Sequence, residues 1–75
     1  MSEKYFVSAV QLRDDSDSIV KSERIYHYGA EELREKARTW VKVNKLVGKS
    51  ITWQRLTLVD GEMQPVAGRK GRFMV

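Results

Sequence analysis

The chain has a single histidine, His27, set between Tyr26 and Tyr28. An imidazole can act as a general base or a metal ligand, but a base works with a nucleophile or an orienting acid. Nearby Ser22 and Glu23 stand at no triad spacing, so the sequence predicts a strand residue near a corner and not a catalytic group. Arg13-Asp14-Asp15-Ser16-Asp17-Ser18 gathers three acids within four residues, which raises calcium. A calcium loop of the EF-hand kind needs a central glycine and a closing glutamate, and neither is here. The expected reading is a solvated hairpin loop. Val47-Gly48-Lys49-Ser50 contains Gly-Lys-Ser, but Val43 stands where the first glycine of a phosphate-binding loop belongs, and the segment follows a helical pattern where such a loop would precede one. The chain has no cysteine and so no disulfide or thiolate site. The expectation is a protein that is not an enzyme and uses neither metal nor cofactor.

What the sequence does concentrate is positive charge. Residues 1–35 carry five Lys/Arg against eight Asp/Glu, and residues 36–75 carry nine against two, so a net charge of +4 hides a −3 half and a +7 half. Such a field selects anionic partners whatever the fold beneath it. Four of the cations, Arg34, Arg38, Lys42 and Lys45, fall within roughly 80° of helical arc. Glu31 and Glu35 share the N-terminal end of that stripe and are placed to pair with Arg34 and Arg38, whereas Lys42 and Lys45 have no such acid. The plainer reading is that their stems cover the edge of an apolar seam while the charged heads stay wet. Arg69, Lys70 and Arg72 form a second cluster near the C-terminus. Trp53, Tyr26 and Tyr28 are candidate contact residues, as stacking platforms for bases or as apolar anchors for a protein.

The elements that must carry these residues follow from periodicity. Tyr5–Leu12 is rich in β-formers, with Phe6, Val10 and Leu12 on one face and Tyr5, Val7 and Ala9 on the other; two apolar faces imply a central strand. Ile19–Tyr28 has polar residues in its middle, which suits an edge strand. Ala30–Val47 reads as a helix, with Ala30, Leu33, Ala37, Trp40, Val41 and Val47 on one arc, a Glu32–Lys36 pair, and Gly48 as its stop. Ile51–Val59 is a third strand. Asp60-Gly61 predicts a two-residue hairpin pairing Val59 with Glu62 and Leu56 with Pro65, and Pro65 confines the fourth strand to an edge. Residues 68–75 read either as a flexible tail or as a turn returning a short strand.

The predicted fold is therefore α+β, one domain over 1–75: an antiparallel four-stranded sheet in the order hairpin, helix, hairpin (ββαββ), with the helix packed on one face. The other face would carry some of Tyr5, Val7, Tyr26, Tyr28, Trp53 and Val59, and an exposed apolar patch of that kind marks an interface. Met1-Ser2-Glu3-Lys4 leads directly into a strand without a signal-peptide core, and no stretch reaches the roughly 20 apolar residues of a membrane span. A cytoplasmic protein that does not use a membrane is expected, and a phage or mobile-element origin would suit it. Two functions follow. In one, a small regulatory protein binds a protein partner with an acidic surface, or a second copy of itself as a homodimer, through an apolar sheet face with a basic rim. In the other, the basic helix edge and the Arg69–Arg72 cluster contact nucleic-acid phosphates. The sequence favours the first, because no RNP-type motif, helix-turn-helix pair or zinc spacing appears.

Overall fold

The computed structural model describes residues 5–75, so the expected run from Met1–Lys4 into the first strand lies outside the described residues. The elements are β1 (Phe6–Arg13), β2 (Ile19–His27), α1 (Ala30–Val43), β3 (Ser50–Val59) and β4 (Glu62–Met74). The strands form one antiparallel sheet in the order β2-β1-β3-β4, the ββαββ arrangement expected. β1, apolar on both faces, lies inside the sheet, and the polar-centred β2 and proline-bearing β4 are its edges.

The core is a single layer. Leu33, Ala37 and Val41 of α1 are buried against Val10 and Leu12 of β1, Ile25 of β2 and Ile51 of β3. Trp40, Leu46, Trp53 and Phe73 close its margin. Trp53 pairs in register with Val10 and with Gly71, so it lies on the helix side, and a Cβ on Gly71 would come within 2.8 Å of its indole nitrogen. The bare glycine gives the indole room to lie flat across β4. The sequence placed Trp53 and Val59 among candidates for the opposite face. Strand alternation instead turns both toward the helix side, in step with Ile51.

The helix ends four residues sooner than its apolar pattern suggested. Its last residue is Val43, and Val47 is 84% exposed. The Lys45 amide donates to the Lys42 carbonyl at 3.2 Å and the Leu46 amide to the Val41 carbonyl at 2.9 Å, with Lys45 at φ 53°. This is a Schellman closure with lysine in the left-handed position that glycine usually fills. It turns Leu46 back onto the core, a gain that the helical continuation to Val47 would lose. Gly48 is not the stop. It lies against the Leu12 side chain.

Residues 68–75 are neither tail nor returning strand. The Asp60-Gly61 turn has both residues at positive φ, 51° and 81°, and pairs Val59 with Glu62 through Leu56 with Pro65 as the turn type requires. β4 then bulges. Arg55 of β3 faces the whole of 66–69, because pairing resumes with Gln54 opposite Lys70. The Gln54 side-chain amide fills the gap, donating to the carbonyls of Val66 at 2.9 Å and Arg69 at 3.3 Å. Those bonds satisfy backbone groups that would otherwise stop the ladder, and β4 runs on to Met74.

The β2 edge is partly blocked by side chains. Lys36 donates to the Tyr26 carbonyl at 2.7 Å, Glu32 accepts from the Tyr28 amide at 2.8 Å, and Glu23 accepts from the Arg24 amide at 3.1 Å. Glu32 and Lys36 also pair with each other at 3.6 Å. Outward backbone groups occupied in this way cannot template another strand. Replacing Glu32 and Lys36 together with alanine should free two of them and produce concentration-dependent association in sedimentation velocity, where the wild type stays monomeric at the same loading. Lys45→Gly removes the left-handed penalty and should raise stability by about 0.5–1 kcal/mol in urea unfolding.

Candidate functional site

Pairing register builds the uncovered face of the sheet row by row. Val7 lies between Tyr26 and Leu56, with Pro65 beyond. Two residues along, Ala9 lies between Arg24 and Gln54, with Lys70 beyond. Two further, Gln11 lies between Ser22 and Thr52, with Arg72 beyond. Arg13 closes the far end. Residues two apart share a face, so these rows stand on the side away from α1. Glu23 and Glu62, the carboxylates within the strands, pair with Val10 and Val59 and so stand on the helix side. The strands thus present Arg13, Arg24, Lys70 and Arg72 on the open face and no acid.

Two hollows adjoin on this face. One, of about 460 Å³, is lined by Val7, Leu56, Leu58, Met63 and Val66, with Tyr5 and Arg69 among its walls and Phe6, Arg55 and Thr57 also bordering it. The other, of about 510 Å³, lies over Ala9, Gln11, Thr52 and Gln54 and is walled by Arg13, Lys70 and Arg72. Tyr5 stacks on Tyr28 at 4.9 Å and meets Tyr26 edge-on at 6.5 Å, making an exposed aromatic corner beside the first hollow. Donation of the Tyr28 hydroxyl to Tyr5, followed by desolvation, pushes the Tyr28 pKa up.

The cations differ in freedom. Arg13 is fixed, donating to Gln11 Oε1 at 2.7 Å, Thr52 Oγ1 at 3.0 Å and the Asp17 carbonyl at 2.9 Å. Arg72 holds the Asp17 carboxylate at 2.9 Å. Arg24 and Lys70 are exposed and form no ion pair among the described residues. The acids of the β1–β2 loop are accounted for as the solvated-loop reading expects. Asp14 accepts from the Ser16 and Ser18 amides at 2.9 and 3.0 Å, and Asp15 lies 3.9 Å from Lys49.

The residues singled out from sequence divide between two layers. Arg34, Arg38 and Lys42 stand on α1, opposite the open face, and Lys45 lies past its end. Arg34 and Arg38 make no ion pair with Glu31 or Glu35 among the described residues. Arg38 instead lies over the Phe73 ring at 5.3 Å and donates to the Met74 carbonyl at 3.0 Å, covering the margin of the core. Arg69, in the bulge, and Lys70, Arg72, Tyr26 and Tyr28 do come together on or beside the open face. Arg13 and Arg24, absent from the sequence candidates, join them through strand pairing alone; the signal was their alternation in step with Val7 and Tyr26.

His27 has a partner that sequence spacing did not reveal. Ser8 and His27 are both fully buried, with Ser8 Oγ 2.8 Å from Nε2. His27 Nδ1 donates to the Gly29 carbonyl at 3.0 Å, so in the neutral ring Nε2 accepts the serine hydroxyl. The same Gly29 carbonyl accepts the Leu33 amide, and His27 thereby ties the end of β2 to the start of α1. A nucleophile and base sealed from solvent offer no place for a substrate, and the pair reads as a satisfied polar contact within the fold. Burial lowers the histidine pKa, with a further push from the Arg55 guanidinium. Arg55 itself lies 3.9 Å over the Phe6 ring with its Nε buried and unpartnered among the described residues.

Among the described residues no group of His, Cys, Asp and Glu is placed to hold a metal ion, and no helix is long and apolar enough to cross a membrane. Comparison with protein-family models, curated proteins and solved structures finds no match.

The histidine pair makes stability depend on pH. The folded state disfavours imidazolium, so the unfolded chain takes up the proton first as pH falls. Stability is complete above the unfolded value of 6.5 and declines as pH drops through it toward the lowered folded value. Urea midpoints should fall between pH 7.5 and 5.5, and His27→Gln should flatten that decline. An equal slope in the variant would show that other groups set it.

Proposed function

We propose that this protein is a non-enzymatic binding protein that docks a protein partner with an acidic surface onto its open sheet face. The observation that carries the reading is the coincidence, on one uncovered face, of an apolar hollow and four strand-borne cations without a strand-borne carboxylate. An apolar centre supplies desolvation, and the cations supply orientation and encounter rate. A small domain of this kind acts by occupying a surface on its partner, as a regulator does.

A second copy of the chain suits the face less well. A two-fold axis lying in the interface sets the cation rows either against their own copies or against the apolar hollow, and both leave charge without counter-charge. Nucleic acid is the other anionic candidate, and the tyrosine corner beside Arg24 is its best support. Against it, Tyr5 and Tyr28 already stack on one another, which occupies the faces that bases would use.

Immobilised wild type, a face variant (Leu58→Glu with Lys70→Glu) and a helix variant (Arg34→Glu with Lys42→Glu) should separate these readings in extract with and without nuclease treatment. Wild type and helix variant should retain the same protein, and the face variant should lose it at least tenfold. Retention by the face variant with loss by the helix variant would overturn the reading, and capture that disappears on nuclease treatment would favour nucleic acid.

A further inference from the structure

The open face is periodic in a way that specifies more than an acidic surface. Its rows at Leu56, at Gln54 with Lys70, and at Thr52 with Arg72 are spaced two residues apart on β3. Each step is about 7 Å, the same-face repeat of any extended chain. The first row opens on the largely apolar hollow of about 460 Å³, wide enough for one leucine or phenylalanine side chain. The second has a low floor, Ala9, with Arg24 on one edge strand and Lys70 on the other. Neither has an ion-pair partner among the described residues. Their stems are long enough to reach a carboxylate set between them. In the third, Arg72 is already held at 2.9 Å by Asp17, a loop carboxylate standing where a ligand's would stand.

We propose that the face recognises an extended acidic peptide segment in fixed register, with one apolar side chain in the hollow and carboxylates two and four residues further along. The inference rests on the protein-binding reading and names the chemistry of the partner. The apolar side chain anchors, because its burial is the contribution that salt does not screen. The nearer carboxylate is held between Arg24 and Lys70. The farther one displaces Asp17 from Arg72, so Asp17 acts as an internal competitor that lowers affinity for segments carrying the second acid.

The test uses blocked nine-residue serine peptides titrated into the labelled full-length protein and followed by amide and methyl resonances. One peptide carries a leucine with aspartates two and four positions beyond it, a second carries the same order reversed, and a third has both aspartates moved by one position. Oligothymidylate of equal charge is the fourth probe. One of the two in-register peptides should bind at least tenfold more tightly than the shifted one, with shifts at Val7, Leu56 and Leu58. Lys70→Glu should abolish that preference. Asp17→Asn, which keeps the loop's left-handed residue acceptable, should tighten the in-register peptide several-fold. Equal binding of shifted and in-register peptides would overturn the register while leaving capture of a protein by the face intact. Tighter binding of oligothymidylate at the same resonances would overturn both readings, and absence of any peptide shift alongside face-dependent protein capture would show that the partner does not present an extended acidic segment.

Discussion

A helix buries one apolar stripe against one face of a sheet, and among the described residues this chain has one helix, of 14 residues, to cover four strands. That mismatch governs the rest of the molecule. Leu33, Ala37 and Val41 take the helix side of β1, β2 and β3, and the two tryptophans, Leu46 and Phe73 are drawn in around them because that margin is the remaining dry surface. Most of the alternate positions of the strands are left uncovered by the helix, buried Ser50 excepted. Val7, Leu56 and Leu58 are apolar where a solvated sheet would be polar, and Arg13, Arg24, Lys70 and Arg72 gather there without strand carboxylates.

The same constraint explains how the edges are treated. A lone sheet with one exposed face has two edges open to further pairing, and long regular edges invite it. On β2 the helix supplies the defence, with Glu32 and Lys36 reaching over to occupy outward backbone groups. On β4 the chain supplies it, with Pro65 and a bulge that Gln54 plugs. Edge pairing being hindered in these two ways, the face is the surface proposed for a partner.

The succession of strands and helix was legible because its signals are local and redundant, although the full strand order was not. Two apolar faces marked β1 as internal, proline marked β4 as an edge, and turn chemistry and hydrophobic alternation agreed over Val59–Glu62. What was not legible depended on contacts distant in sequence. The helix stops at Val43 because Leu46 turns back to the core, which no periodicity in Val41–Val47 discloses. The β4 bulge depends on one glutamine side chain from β3, and Ser8 meets His27 only when β1 and β2 pair. The site was half visible for the same reason. Lys70 and Arg72 stood out as a sequence cluster, whereas Arg13 and Arg24 reach the same face from other strands. The helix stripe that looked most prominent ends on the opposite layer, with Arg38 spent on Phe73.

The central claim is that the uncovered sheet face, and not the basic helix, meets the partner. Methyl spectroscopy of the labelled protein, recorded with and without the purified captured partner, tests it most directly. Val7, Leu56, Leu58 and Met63 should shift or broaden while Leu33 and Val41 on the buried side of α1 remain in place. Perturbation centred on α1, with the open-face methyls unmoved, would contradict the account.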